Sequence, residues 1–247
     1  MAKTTPRLHV ARPLSVNAEF TLDAEPSHYL AHVLRLAPGD VASLFNERDG
    51  EHLAYLMAVG KKSVSVRIEK KLADAKPPPD IDYVFAPLKH ARLDYMIQKA
   101  TELGARRLRP VITARTIAER VNLDRMRANA IEASEQCNLV FVPEVLEPEK
   151  LATVIASWDA SRRLIFCDER AAHASPAEAL RGIKTPAAVL VGPEGGFTPE
   201  ERDLLLRQPF VTAISLGPRI MRADTVAIAA LSVVQAAIGD WGGGDKS

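Results

Sequence analysis

Residues 190–201 of this 247-residue chain read LVGPEGGFTPEE. An apolar run, Ala187 to Val191, stops at Gly192. Gly192, Pro193, Glu194, Gly195 and Gly196 follow, and Thr198-Pro199-Glu200-Glu201 has the make-up of a helix start. A second loop, LGPRIMRADT, runs from Leu216 to Thr225 and again sets Gly-Pro directly after a short apolar run. Bare glycines let a ligand reach the backbone and leave N–H groups free to bind it. Glu194, Arg219 and Arg222 carry charge inside the same two loops. One such loop reads as a tight turn. Two, after successive strands, describe a pocket, because ligands of a parallel sheet collect beyond the strand C-termini. Ala223 to Thr225 begin a helix whose N-terminus is electropositive. GPEGGFT lacks the Lys-Ser/Thr of a P-loop, and neither loop has the spacing G-x-G-x-x-G. The carboxylate of Glu194 disfavours a phosphate and suits a ligand with hydroxyl, amino or cationic groups.

Other candidates are weaker. His28 and His32 lie at i and i+4, and Arg35 continues the same helix face. Tyr29 stands where a zinc protease carries Glu, and no third ligand follows, so no metal site is expected. A solvated polar face and a surface that meets a polyanion fit this helix equally well. From Lys89 to Arg127, ten basic residues oppose four acids, a net of +6 on a chain whose total is +1. Most are Arg, whose fork matches phosphate geometry. The asymmetry points to RNA or DNA, with Arg35, Lys89 and Arg115 as the expected backbone contacts. Ser215 and Cys167 stand near strand ends without an evident base, which argues against covalent catalysis.

These residues need a scaffold. The chain is 47% hydrophobic and 26% charged, enough apolar material for a sizeable core. Pro77-Pro78-Pro79 cannot join a helix or a sheet ladder and marks a seam. Before it, VASLFN, HLAYLMAVG and SVSVRIEKK read as strands and SHYLAHVLRL as a helix capped by Ser27, which predicts a small β-barrel over residues 1–75. After it, strands (IDYVFAPL, RLRPVIT, RRLIFCD, AAVLVG, VTAISLG) alternate with helices, which predicts an α/β domain with a mostly parallel sheet over residues 80–247. Gly242-Gly243-Gly244 reads as a frayed tail. No run of about 18 apolar residues spans a membrane. MAKTTPRLHVARPL lacks a signal-peptide core, and Cys137 and Cys167 read as reduced thiols, so a cytoplasmic protein is expected.

Four stretches, KHARLDYMIQKATELGARRLRPVITAR, IEASEQCNLVFVPEV, LVGPEGGFTPEE and SLGPRIMRADTVAIAAL, resemble in that order the motifs of the bacterial 16S ribosomal RNA uridine N3-methyltransferase family, RsmE. HYLAHVLRLAPGD is similar to that family's PUA-like RNA-binding domain. The resemblance implies a SPOUT fold: an α/β domain with a C-terminal trefoil knot, a homodimer, and S-adenosylmethionine held by the knot loops. It places Leu190, Gly192, Glu194, Gly195, Gly196, Leu216, Gly217, Ile220, Met221, Arg222, Ala223 and Thr225 at the cofactor. It implies 16S rRNA in the 30S ribosomal subunit as partner, and Arg7 matches an early family Arg that would meet RNA. Leu139 stands where the family usually has Arg, and His9 where Phe is common. Methylating uridine N3 requires loss of its proton, so a base or a charge stabilising the uridine anion is needed. Arg222, with Arg219, is placed to stabilise that anion, and Glu194 either accepts a proton or orients the loop. A ribose 2′-O-methyltransferase of the same fold and a non-enzymatic RNA-binding assembly factor remain as alternatives.

Overall fold

A computed structural model of the chain describes residues 5–60, 62–89, 91–118, 120–171 and 175–241. The expected glycine tail at Gly242–Gly244 lies outside them. The chain separates into two compact units, Met1–Pro77 with Ser134–Val142, and Pro78–Ala133 with Pro143–Ser247. The division falls inside the three prolines, which lack the N–H groups a shared ladder would need.

The first unit contains β1 (Arg7–His9), β2 (Glu19–Thr21), α1 (Ala24–His28), a π-helical turn (Tyr29–Val33), β3 (Val41–Asn46), β4 (Gly50–Val59) and β5 (Val64–Ala73). They form a five-stranded sheet in the order β1-β3-β4-β5-β2. β1 runs parallel to β3, and the other pairs are antiparallel. His52, Ala54 and Leu56 alternate into the core along β4, the period of a half-buried strand. Leu30, Leu44, Val66 and Ile68 fill that core. The helix begins at Ala24, earlier than the sequence suggests. Ser27 is buried inside it: its hydroxyl donates to Leu22 O and accepts from Val64 N, each at 3.1 Å. It ties the helix to β5 rather than capping it. β1 and β2 have three residues each, too short to show a period.

The second unit contains β6 (Ile81–Phe85), α2 (Ala91–Glu102), β7 (Arg107–Ile112), α3 (Leu123–Gln136), β8 (Glu144–Val145), β9 (Glu149–Lys150), α4 (Leu151–Ala156), β10 (Arg163–Cys167), α5 (Pro176–Ala179), β11 (Ala187–Val191), α6 (Pro199–Leu206), β12 (Val211–Ile214) and α7 (Ala223–Ile238). The last residues of α3 group with the first unit. The sheet order is β12-β10-β11-β6-β7-β8, with β9 on β7, and every pair is parallel. β6 and β11 are buried at every position. Continuous apolar runs of this kind are what strands covered on both faces require. α7 packs on β11 and α2. Because all strands point the same way, the loops after β6, β7, β10, β11 and β12 meet along one edge.

Candidate active site

Loops after β12, β10 and β11, three adjacent strands, enclose a cavity of about 280 Å³. The loop after β11 contributes Gly192, Glu194 and Gly196. The loop after β12 contributes Leu216, Gly217, Ile220, Met221 and Arg222, with Ala223 from the start of α7. The structure thus brings both glycine loops to one cavity. Leu190 is buried within β11, and Gly195 and Thr225 are not among the lining residues. Asp168, Glu169 and Arg170, after β10, form a third wall that sequence reading missed. The signal was available: a charged triplet directly follows the apolar run LIFC, and the strand-end rule applies to it as well.

Local geometry explains the glycines. Gly196 and Gly217 have φ of +67° and +104°, which side chains with a Cβ adopt only at a cost. Space beside Gly217 is open, so its missing side chain leaves room in the cavity. A Cβ on Gly192 would collide with the Phe197 ring. That ring packs edge-to-face on Phe166 with centroids 5.1 Å apart. Gly195 is not a lining residue, and a Cβ there would meet the Arg115 side chain at 3.4 Å. The loop then runs into α6 through a reciprocal cap. Glu201 N donates to Thr198 Oγ1, and Thr198 N donates to a Glu201 carboxylate oxygen. The other Glu201 oxygen accepts Ala114 N at 2.7 Å.

Two arginines hold the loop from outside. Arg92 of α2 forms an ion pair with Glu194. Arg115, after β7, donates from Nη1 to Gly195 O at 2.7 Å. Glu194 is therefore paired with a cation, an arrangement that favours the loop-orienting role over that of a free base. Arg219 and Arg222 are exposed at the cavity and make no ion pair with other described residues. Arg222 is the N-cap of α7, and its side chain makes no cap hydrogen bond. Asp168 is buried and receives both Nε and Nη2 of Arg202 at 2.9 Å. Burial pushes the Cys167 thiol up to about 12, so it stays protonated and is a poor nucleophile. Among the described residues, no three His, Cys, Asp or Glu side chains group as a metal site, and no helix is long and apolar enough to cross a membrane.

The expected RNA contacts are dispersed. Arg7 is occupied: its guanidinium pairs with Glu51 at 2.8 Å and donates to the carbonyls of Ser134, Glu135 and Leu139. It is a structural tie within the first unit, and Leu139 contributes its backbone there rather than its side chain. His9 packs its ring edge-on against Phe45. Arg35 is exposed just past the π-helical turn, at φ +53°, and His28 and His32 are exposed with rings 5.0 Å apart. Lys89 is exposed before α2.

A parallel sheet with glycine loops around one cavity, in a chain that also carries a small β-unit, is matched by two family models that give the class, an RNA methyltransferase with a PUA domain. The family model described as RNA methyltransferase domain matches residues 75–235, and that described as RNA methyltransferase PUA domain matches residues 22–69. The chain belongs to the ribosomal RNA small subunit methyltransferase E family. It is 32% identical to the Rickettsia conorii protein of that name, covering 93% of this chain and 94% of that one. Its fold matches ribosomal RNA small subunit methyltransferase E from Neisseria gonorrhoeae bound to S-adenosyl methionine, with a TM-score of 0.86, 28% identity, and 96% and 100% of the two chains covered. A Legionella pneumophila protein in complex with the cofactor SAM also matches at TM-score 0.86 and 30% identity, with 96% and 99% covered.

Proposed function

We propose that this chain transfers the methyl group of S-adenosylmethionine to N3 of a uridine in 16S rRNA of the small ribosomal subunit. The observation that carries the reading is the three-loop cavity with Arg219 and Arg222 exposed at its edge and making no ion pair with other described residues. The residues suit this cofactor. Gly217 leaves open space for a close approach, and the exposed carboxylate of Glu169 on the cavity wall suits amino, sulfonium or hydroxyl groups. The cofactor supplies an electrophilic methyl group; the protein's task is alignment and charge. Arg222, with Arg219, would stabilise the uracil oxygens as N3 loses its proton. Glu194, held by Arg92, would orient the loop.

The same reading includes a PUA-like RNA-binding unit over residues 1–75, a SPOUT domain over residues 80–247 with its C-terminal knot, a homodimer, and action in the cytoplasm. The named relatives and the convergence of the last three strand-end loops support the SPOUT assignment. Ile220, 93% exposed beside the cavity, is an apolar side chain of the kind a second subunit would cover. The test is calorimetric titration with S-adenosylmethionine of the wild type and of Gly217→Val. Binding by the wild type and its loss in a folded variant are expected. Equal affinities would remove this cavity from the reading.

A further inference from the structure

A second cavity, of about 540 Å³, opens along the same sheet edge after β6 and β7. It shares no lining residue with the first. Leu88, Leu93, Ile117 and Met126 give it apolar walls. Ile117 is 54% exposed, a large apolar side chain facing solvent beside a charged rim. The rim is cationic. Lys89 and Arg120 are exposed, and their side chains make no ion pair with other described residues. Arg125 is held flat by Asp94, with contacts of 2.9 and 2.5 Å, and Asp94 also receives Asn129 Nδ2 at 2.9 Å. Asp94 is thus neutralised, whereas Lys89 and Arg120 make no ion pair with other described residues. The first turns of α2 and α3 open on the same rim and add to its positive potential.

Apolar walls beneath exposed cations suit an unpaired base laid on aliphatic side chains, with its phosphodiester held at the rim. We infer that this cavity binds a nucleotide of the single-stranded RNA substrate other than the one that is methylated. Its place supports this. The Arg92–Glu194 pair and the Arg115–Gly195 bond join α2 and the loop after β7 to the loop after β11. RNA seated in the second cavity would therefore bear on the elements that hold the first. The inference rests on the rRNA methyltransferase reading for its biological substrate, but not for its chemistry.

The test uses the full-length protein with a fluorescent hexauridylate, and in parallel with 30S subunits as methyl acceptor. Lys89→Ala/Arg120→Ala removes two exposed cations. It should weaken oligonucleotide binding and reduce the salt slope by roughly 1.4, about 0.7 per lost phosphate contact on a single strand. KM for 30S subunits should rise roughly tenfold while S-adenosylmethionine affinity is retained. Ile117→Asp should weaken oligonucleotide binding by a similar factor. An unchanged slope and KM in the double variant would overturn the inference. So would a loss of dimerisation in the Ile117 variant with RNA binding intact, which would make the cavity an interface between copies. If the wild type methylates no 30S subunits, the functional reading fails; the hexauridylate titration still decides the cavity.

Discussion

Arg115 Nη1 lies 2.7 Å from the carbonyl oxygen of Gly195, joining the end of β7 to the loop after β11. The sequence suggests Arg115 as a phosphate contact; the structure gives its guanidinium a partner in the loop after β11. A partly exposed hydrogen bond from a charged donor is worth about 1 kcal/mol, or roughly fivefold in affinity. Arg115→Ala is expected to weaken S-adenosylmethionine binding about fivefold and leave the salt dependence of RNA binding unchanged. A reduced salt slope with normal cofactor affinity would return Arg115 to the RNA.

Glu194 pairs with Arg92, so the two should behave as one unit. A half-exposed ion pair contributes about 0.2–1 kcal/mol. Glu194→Gln and Arg92→Ala are each expected to lower cofactor affinity a few-fold, and the double variant to lower it no further than either alone. Single-turnover rates at saturating cofactor should hold. A fall on the order of 100-fold in Glu194→Gln alone would make the carboxylate the proton acceptor.

Arg222 caps α7 without a side-chain cap bond, so truncating it removes no helix cap. The loss of one charged donor at a developing anion typically costs on the order of 100-fold in rate. Arg222→Ala is expected to show that loss in single-turnover methylation of 30S subunits, with cofactor affinity kept. Arg222→Lys should recover little, because Lys lacks the planar fork. A normal rate in Arg222→Ala would remove it from catalysis.

Much of this site is legible from local pattern. LVGPEGGFTPEE ends a buried run with glycines and opens a helix with Thr-Pro-Glu-Glu, and the structure has a strand to Val191 and a capping box at Thr198 and Glu201. Strand-end logic places two of the three cavity walls. What stays hidden is pairing at a distance. Arg7 looks like any other basic residue until Glu51 and three carbonyls from residues 134–139 close around it. Arg92 is one of ten cations in its segment, and nothing local marks it as the partner of Glu194. Gly195 reads as ligand-facing by composition, yet the turn aims it at Arg115. Periodicity finds elements; it does not say which side chains meet across the fold.

His52 is buried in the first unit, and burial, then repulsion from Lys71, lowers its pKa in the folded state. A histidine held neutral adds stability that is fully present above its ordinary pKa, about 6.5, and is lost as pH falls from there toward the folded value. Tm should decline as pH drops below about 6.5. The decline should be smaller in His52→Asn, which cannot titrate. An equal decline in both proteins would assign the effect to other groups.

Mass spectrometry of 16S rRNA tests the central claim most directly. 30S subunits from cells lacking this gene would be incubated with S-adenosylmethionine and either wild-type protein or Arg222→Ala, and the rRNA digested to nucleosides. The account predicts one uridine converted to N3-methyluridine by the wild type, and far less by the variant in the same time. No methylated nucleoside, or methyl groups on ribose 2′-oxygens instead, would contradict it.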